Sequence, residues 1–301
     1  MISLSHSVTR VIGRILKTDR GFAAAVASTL LSQAATLGLA LCLDVLIARR
    51  LGPAMRGVYA LATLAVSLSV QALDLGFSTA TTYFVARKPR RTGAILGNDA
   101  VMMLAAVITS FAAAAVVFRV QPHALSSTTL CAAAALVATT MAYNYTSAVL
   151  YGQQSVTSAT RMPVLYIAAF LLVAGTRHIS VAGLLAAASL GRALALAYGL
   201  RKIRWPARLT ISGSVFAASW RFAVREYASN LTTLVAYRAD QFIVAGLAGT
   251  ADLGLYAVAA SITERLNLLP GAIASVLMPR VASSSMGDIE HTKRILRGTI
   301  C

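Results

Sequence analysis

Long apolar runs separated by short clusters of Arg, Lys, Pro and Gly set the plan of this 301-residue chain. A helix needs roughly 20 mostly apolar residues to cross the hydrocarbon of a bilayer. By that rule eight spans are predicted, at 23–48, 57–85, 95–118, 124–150, 160–177, 180–200, 228–248 and 254–280. Gly52-Pro53, Gln121-Pro122 and Arg177-His178 mark tight turns between paired spans. The fifth span is short and starts at Arg161-Met162-Pro163, where a proline is tolerable as a first-turn residue. The pattern predicts an all-α, polytopic membrane helical bundle.

Outside the spans the pattern changes in two places. Val8, Val11, Ile12, Ile15 and Leu16 recur at helical spacing with Arg10, Arg14 and Lys17 between them, so residues 1–22 read as a basic helix lying on the membrane surface. No cleavage site of the secretory kind follows them. The longest connection, 201–227, is basic and cytoplasmic. Its later part, with Phe216, Trp220 and Val224 beside Arg221 and Arg225, reads as a second interfacial helix.

The stretch Asp44 to Tyr83 has an echo later in the chain. GVYALA (Gly57 to Ala62) opens the second span, GLYAVA (Gly254 to Ala259) opens the eighth, and an Asp precedes each glycine, at Asp44 and Asp240. A repeat whose copies each begin a pair of apolar spans suggests a duplicated transporter. The domains expected are 23–200 as a first six-helix bundle, 201–227 as linker, 228–280 as the first hairpin of a second bundle, and 281–301 as a cytoplasmic tail. A second unit of equal size would need four spans more, so the chain reads as truncated.

Charge fixes the orientation. The sequence carries 27 Lys and Arg against 10 Asp and Glu, a net +17, yet only 12% of its residues are charged and 57% are hydrophobic, with mean hydropathy +0.72. Globular proteins average roughly 25% charged. With the N-terminus inside, nineteen basic residues fall in cytoplasmic segments. Five fall outside (Arg49, Arg50, Arg56, Arg119, Arg177) and three within spans. That positive-inside bias predicts a multi-pass membrane protein with its N-terminus cytoplasmic. Basic clusters placed between apolar runs suit anionic lipid rather than nucleic acid, and no nucleic-acid partner is expected.

Soluble-enzyme chemistry is not visible. The three cysteines are too scattered for a disulfide framework or a metal cluster, and the four histidines lack ligand spacing. There is no phosphate-binding glycine loop or nucleophile elbow, so the chain is read as a non-enzyme without cofactor or metal. Asn144-Tyr145-Thr146 and Asn230-Leu231-Thr232 match a glycosylation pattern but lie at or inside spans.

ARRLGPAMRGVYALA followed by LDLGFSTATTYFVARK resembles the opening hairpin of bacterial polysaccharide and oligosaccharide flippases. YRADQFIVAGLAGTADLGLYAVAASITERLNLLPGAIASVLMPRVAS resembles their seventh and eighth helices. These proteins belong to the multidrug/oligosaccharidyl-lipid/polysaccharide exporter superfamily. The resemblance implies two helical bundles around a central cavity and alternating access. Its implied cargo is an undecaprenyl-pyrophosphate-linked oligosaccharide, moved between leaflets for surface polysaccharide biosynthesis. A peptidoglycan-precursor flippase and a multidrug exporter are the nearest alternatives. From another class, the chain could be a non-transporting membrane scaffold for a polysaccharide polymerase or glycosyltransferases.

An ionisable group within a span costs at least about 2.5 kcal/mol on insertion scales, and so needs a partner or a wet cavity. Those groups are Asp44, Asp74, Arg192, Arg238, Asp240, Glu264 and Arg265. Guanidinium donates two parallel hydrogen bonds to phosphate oxygens. Arg238 and Arg265, with Arg192 behind them, are therefore the candidates to line a cavity and hold an anionic headgroup. Asp240 and Glu264 would balance them or bind a coupling proton or cation. Asp74 is expected to bond backbone across the first hairpin, and Asp44 to reach toward Arg49. Tyr143, Tyr145 and Tyr151, with Gln153 and Gln154, could face sugar hydroxyls, but an interfacial aromatic belt is the favoured reading. Alanine runs such as Ala112 to Ala115 and Ala186 to Ala188 permit close helix approach.

Overall fold

The computed structural model describes residues 20–120, 126–175 and 180–266, and among them there is no strand. Helix α1 (Arg20–Asp74) has two arms, 20–51 and 53–74, that meet at Gly52. Gly52 adopts φ 69°, a region open to glycine, and Pro53 withholds a backbone donor just after it, so the chain turns there. A second break follows at Leu75 and Gly76, both at positive φ, so the predicted span 57–85 divides between α1 and α2 (Phe77–Arg87).

A short turn, Pro89–Arg91, leads into α3 (Thr92–Val120). Ser126 caps α4 (Ser127–Gly152), its hydroxyl accepting from the Thr129 amide at 3.3 Å. Helix α5 (Val156–Ala174) starts earlier than predicted, which puts Pro163 inside the helix rather than in its first turn. Ser180 caps α6 (Val181–Lys202) through the Gly183 amide.

After a linker come α7 (Gly213–Leu247) and α8 (Thr250–Leu266). The predicted interfacial helix within 201–227 is not separate from the span at 228–248. Between Ser214 and Ala245 there is no Gly or Pro to interrupt the backbone, so both form one helix although composition changes midway. The interfacial helix predicted at 1–22 lies outside the described residues except for its last three.

Helix α6 packs on α4 and α5, α1 packs on α5, and α2 and α3 pack on α4. The small face of α6 makes this possible: Ala187, Ala188 and Ala195 are buried, and Gly191 lies against the Tyr166 backbone of α5. Large side chains point the other way, with Leu104, Ile108 and Leu172 at 61%, 61% and 76% exposure. Ala112 and Ala113 also face outward, so that alanine run is not a packing seam. The inverted pattern, small inside and large apolar outside, is that of a membrane bundle.

Among the described residues, four helices are by themselves long and apolar enough to cross a membrane: Ser28–Asp74, Pro89–Arg119, Val156–Ala174 and Val181–Lys202. Helices α4, α7 and α8 occupy the places of three further predicted spans and are more polar.

Helix α7 docks on α2, with Phe216 and Phe222 against Phe77 and Tyr83 at ring-centroid distances of 5.3 and 4.8 Å. Helix α8 lies along α1. The linker is clamped at both ends by side-chain amides. Gln153 donates to the Arg204 carbonyl at 2.9 Å and accepts from its amide at 2.8 Å. Asn98 does the same with Ser212 at 3.0 and 3.1 Å.

Candidate functional site

Midway along α6, Arg192 places its guanidinium carbon 4.3 Å from the centroid of the Tyr166 ring on α5. Tyr143 of α4 also lies beside that ring, 6.4 Å between centroids. A guanidinium over an aromatic face is held by the ring's quadrupole and keeps its edge donors available. Arg192 opens onto a cavity of about 390 Å³, and Arg238 of α7 lines the same cavity. Two of the three predicted cavity arginines are thus brought together.

The rest of the wall is neutral and polar: Ser67 and Gln71 from α1, Thr140 from α4, and Asn230 and Thr233 from α7, with Val66 and Val70 between them. Among the described residues lining it there is no carboxylate. Two guanidinium groups in such a wall favour an anion, and amides and hydroxyls suit a polyhydroxylated neighbour.

The acidic groups have other engagements. Asp240 accepts the Tyr256 hydroxyl at 2.5 Å and the Gln241 amide at 2.7 Å, tying α7 to α8 rather than facing Arg238. Asp74 does not bond across the first hairpin. It caps the start of α2, accepting from the Ser78 amide and hydroxyl at 3.3 and 2.9 Å, because the break at Leu75 and Gly76 leaves those donors unpaired. Asp44 does not pair with Arg49. Its Oδ1 lies 3.6 Å from Nη2 of Arg56, on the second arm of α1, because the Gly52 turn folds that arm back beside the first. The side chains of Glu264 and Arg265, in the last turn of α8, lie outside the described residues.

The aromatic-belt reading of α4 fails for two of its tyrosines. Tyr145 is 4% exposed in the middle of the packed helices and Tyr143 is half-buried beside Tyr166, while Tyr151 is exposed. Helix α4 is covered by α2, α3 and α6, so its central polar side chains point into the protein. Gln153 serves the linker clamp.

Two buried charges were absent from the predicted site. Asp99 of α3 is 7% exposed, and its carboxylate oxygens accept from Thr81 Oγ1 at 2.9 Å each. Arg56 is 6% exposed, and its guanidinium sits near the Tyr59 ring. For Arg56 the available signal was its place in the echoed hairpin. For Asp99 it was a lone carboxylate in an otherwise apolar run.

The profile of the family described as polysaccharide biosynthesis protein matches residues 22–285. No match was found among curated proteins. A solved structure named "protein A" superimposes with a TM-score of 0.62 at 13% identity, covering 88% of this chain and 65% of that one. The likeness is one of fold. The chain spans about two thirds of the length of the protein it matches there.

Proposed function

Because the chain belongs to the polysaccharide biosynthesis protein family, we propose that it moves a lipid-linked oligosaccharide from the inner to the outer leaflet of the bacterial inner membrane. The cargo in this reading is an undecaprenyl-pyrophosphate-linked glycan destined for surface polysaccharide. The observation that carries the proposal is the shared cavity of Arg192 and Arg238, cationic and free of carboxylate among its described lining residues. Arg192 and Arg238 hold the pyrophosphate. Gln71, Asn230 and Thr233 face the first sugar, and the polyprenyl chain stays in lipid beside the apolar helix faces.

Transport is a population shift between a cavity open to the cytoplasm and one open outward, with α7 and α8 belonging to a second bundle that moves against the first. The N-terminus is cytoplasmic. Arg265 joins the cavity from α8, and Asp240, Glu264, Asp74 and Asp44 are the groups available for charge balance or for coupling to a proton or cation. Polymerase and glycosyltransferase partners supply and consume the cargo. An arginine-lined cavity favours this reading over export of cationic drugs.

The test is flipping in proteoliposomes of an undecaprenyl-pyrophosphate-linked fluorescent sugar, read by quenching from outside. Wild type should exceed empty vesicles. Arg192→Gln and Arg238→Gln should each slow it by roughly 10- to 100-fold, the loss of a charge-assisted hydrogen-bonded pair. Wild-type flipping that is indifferent to both substitutions would refute the cavity assignment. A chain that inserts but never flips would leave the scaffold reading in its place.

A further inference from the structure

The end of the molecule that carries the Gly52 turn is sealed by backbone. The corresponding glycines of the two echoes meet there: a Cβ on Gly57 would lie 1.7 Å from the Thr250 carbonyl oxygen, and one on Gly254 would lie 2.1 Å from that of Pro53. Beside this seal sits Arg56. It shares an ion pair with Asp44 through Nη2, while its Nε and Nη1, both buried, have no hydrogen-bond partner among the described residues. Arg is almost never fully buried unless its donors are matched, so two idle donors in a 6% exposed residue point to something that is absent in this conformation.

Arg56 is also connected to the cavity. It lies near the Tyr59 ring, about one turn along the arm toward the cavity. At 1.5 Å per residue, Val66 on the cavity wall is about 15 Å further along the same arm.

Resting on the transport reading above, we propose that Arg56 is the exit-side contact for the cargo's pyrophosphate. With the N-terminus cytoplasmic, the Gly52 end faces outward. Parting α1 from α8 there uncovers Arg56, whose idle Nε–H and Nη1–H donate to the phosphate, from two different edges of the guanidinium, as it leaves Arg192 and Arg238, while Nη2 stays with Asp44. The seal thus hides the last binding group of the path until the path opens.

The experiment compares the full chain with Arg56→Gln, and with Arg56→Gln combined with Asp44→Asn, in the same flipping assay. Affinity for undecaprenyl-pyrophosphate-linked sugar in detergent is measured beside it. The double variant removes both members of the ion pair, so it separates that pair from the phosphate contact. The result expected is affinity within about twofold of wild type and flipping slowed about tenfold or more, in both variants. Restored flipping in the double variant would overturn the proposal, since Arg56 would then serve only Asp44.

If neither variant inserts, Arg56→Lys decides. It keeps the charge but puts one compact nitrogen in place of the separate Nε–H and Nη1–H donors, so flipping should still fall several-fold, and wild-type rates would overturn the proposal. Failure of the transport reading itself looks different: wild type does not flip, and Arg192→Gln and Arg238→Gln leave affinity unchanged.

Discussion

In the transport reading, the seal between Gly57 and Gly254 makes a quantitative demand on the closed conformation. Ordinary contact begins near 3.4 Å, yet a methyl at position 57 would stand 1.7 Å from the Thr250 oxygen. That oxygen belongs to backbone and cannot swing aside as the tip of a side chain can. Gly57→Ala therefore forces α8 back from α1 by roughly 1–2 Å, and overpacking of this kind costs about 1–3 kcal/mol.

The cost falls on the closed state alone, because the contact does not exist once the helices part. A differential of that size shifts a two-state balance by roughly 5- to 150-fold. The assay is thiol accessibility. In a background with Cys42, Cys131 and Cys301 replaced by Ala, Ser67→Cys puts one thiol on the cavity wall. A membrane-impermeant maleimide is added from the side of the bilayer that carries Gly52. Gly57→Ala should raise the labelling rate about tenfold, and Gly254→Ala should act in the same direction from the opposite helix. Unchanged labelling in a chain that melts as wild type does would refute the reasoning. The contact would then be an incidental crossing rather than the closure of the cavity.

Other consequences are more local. Asn98→Ala removes both bonds that hold Ser212, so trypsin should cut after Arg204 and Arg208 several-fold faster, while bundle stability drops by only about 1–2 kcal/mol. Thr81→Val takes a hydroxyl from the buried Asp99 carboxylate and should lower the thermal midpoint, with Thr81→Ser restoring it; equal midpoints for both would show that the hydrogen bond carries no net stability. A double-mutant cycle of Asp240→Asn with Tyr256→Phe should give a coupling of about 1–3 kcal/mol in unfolding measurements, against near zero for Asp240→Asn with Tyr227→Phe.

What the sequence made legible was whatever acts locally. Apolar run length gave the places of the helices, since a bilayer span demands it, and Gly52-Pro53 gave the first turn. The merging of 213–227 with 228–247 was hidden because amphipathicity changes there while nothing breaks the backbone. Arg56 was counted as a turn residue because it follows Pro53 closely. Its partner Asp44 lies across the turn, and its neighbour Gly57 packs on a helix some two hundred residues later. Asp99 was passed over for the same reason, since its partner Thr81 lies on another helix, 18 residues away. Arg192 and Arg238 were legible because a guanidinium in an apolar span must have a reason to be there. Which wall they share was decided by tertiary packing.

The echo is more than a trace of duplication, because its two copies are built alike and then set face to face. In each copy an aspartate on the first helix is joined to the next: Asp44 to Arg56, and Asp240 to Tyr256. In each copy the glycine that follows is pressed against the other copy's backbone. An aspartate bond within each hairpin stiffens that hairpin, while the glycine contact between hairpins offers close approach with no side chain to interlock. Bonds within each hairpin and a close backbone contact between them, with no side chain to interlock, would let two bodies keep their shape while separating. In the proposed transport cycle, the boundary that opens is the one between α1 and α8. Arg56 and Arg192 on one side and Arg238 on the other would, in that cycle, pass a bound anion across as the boundary opens.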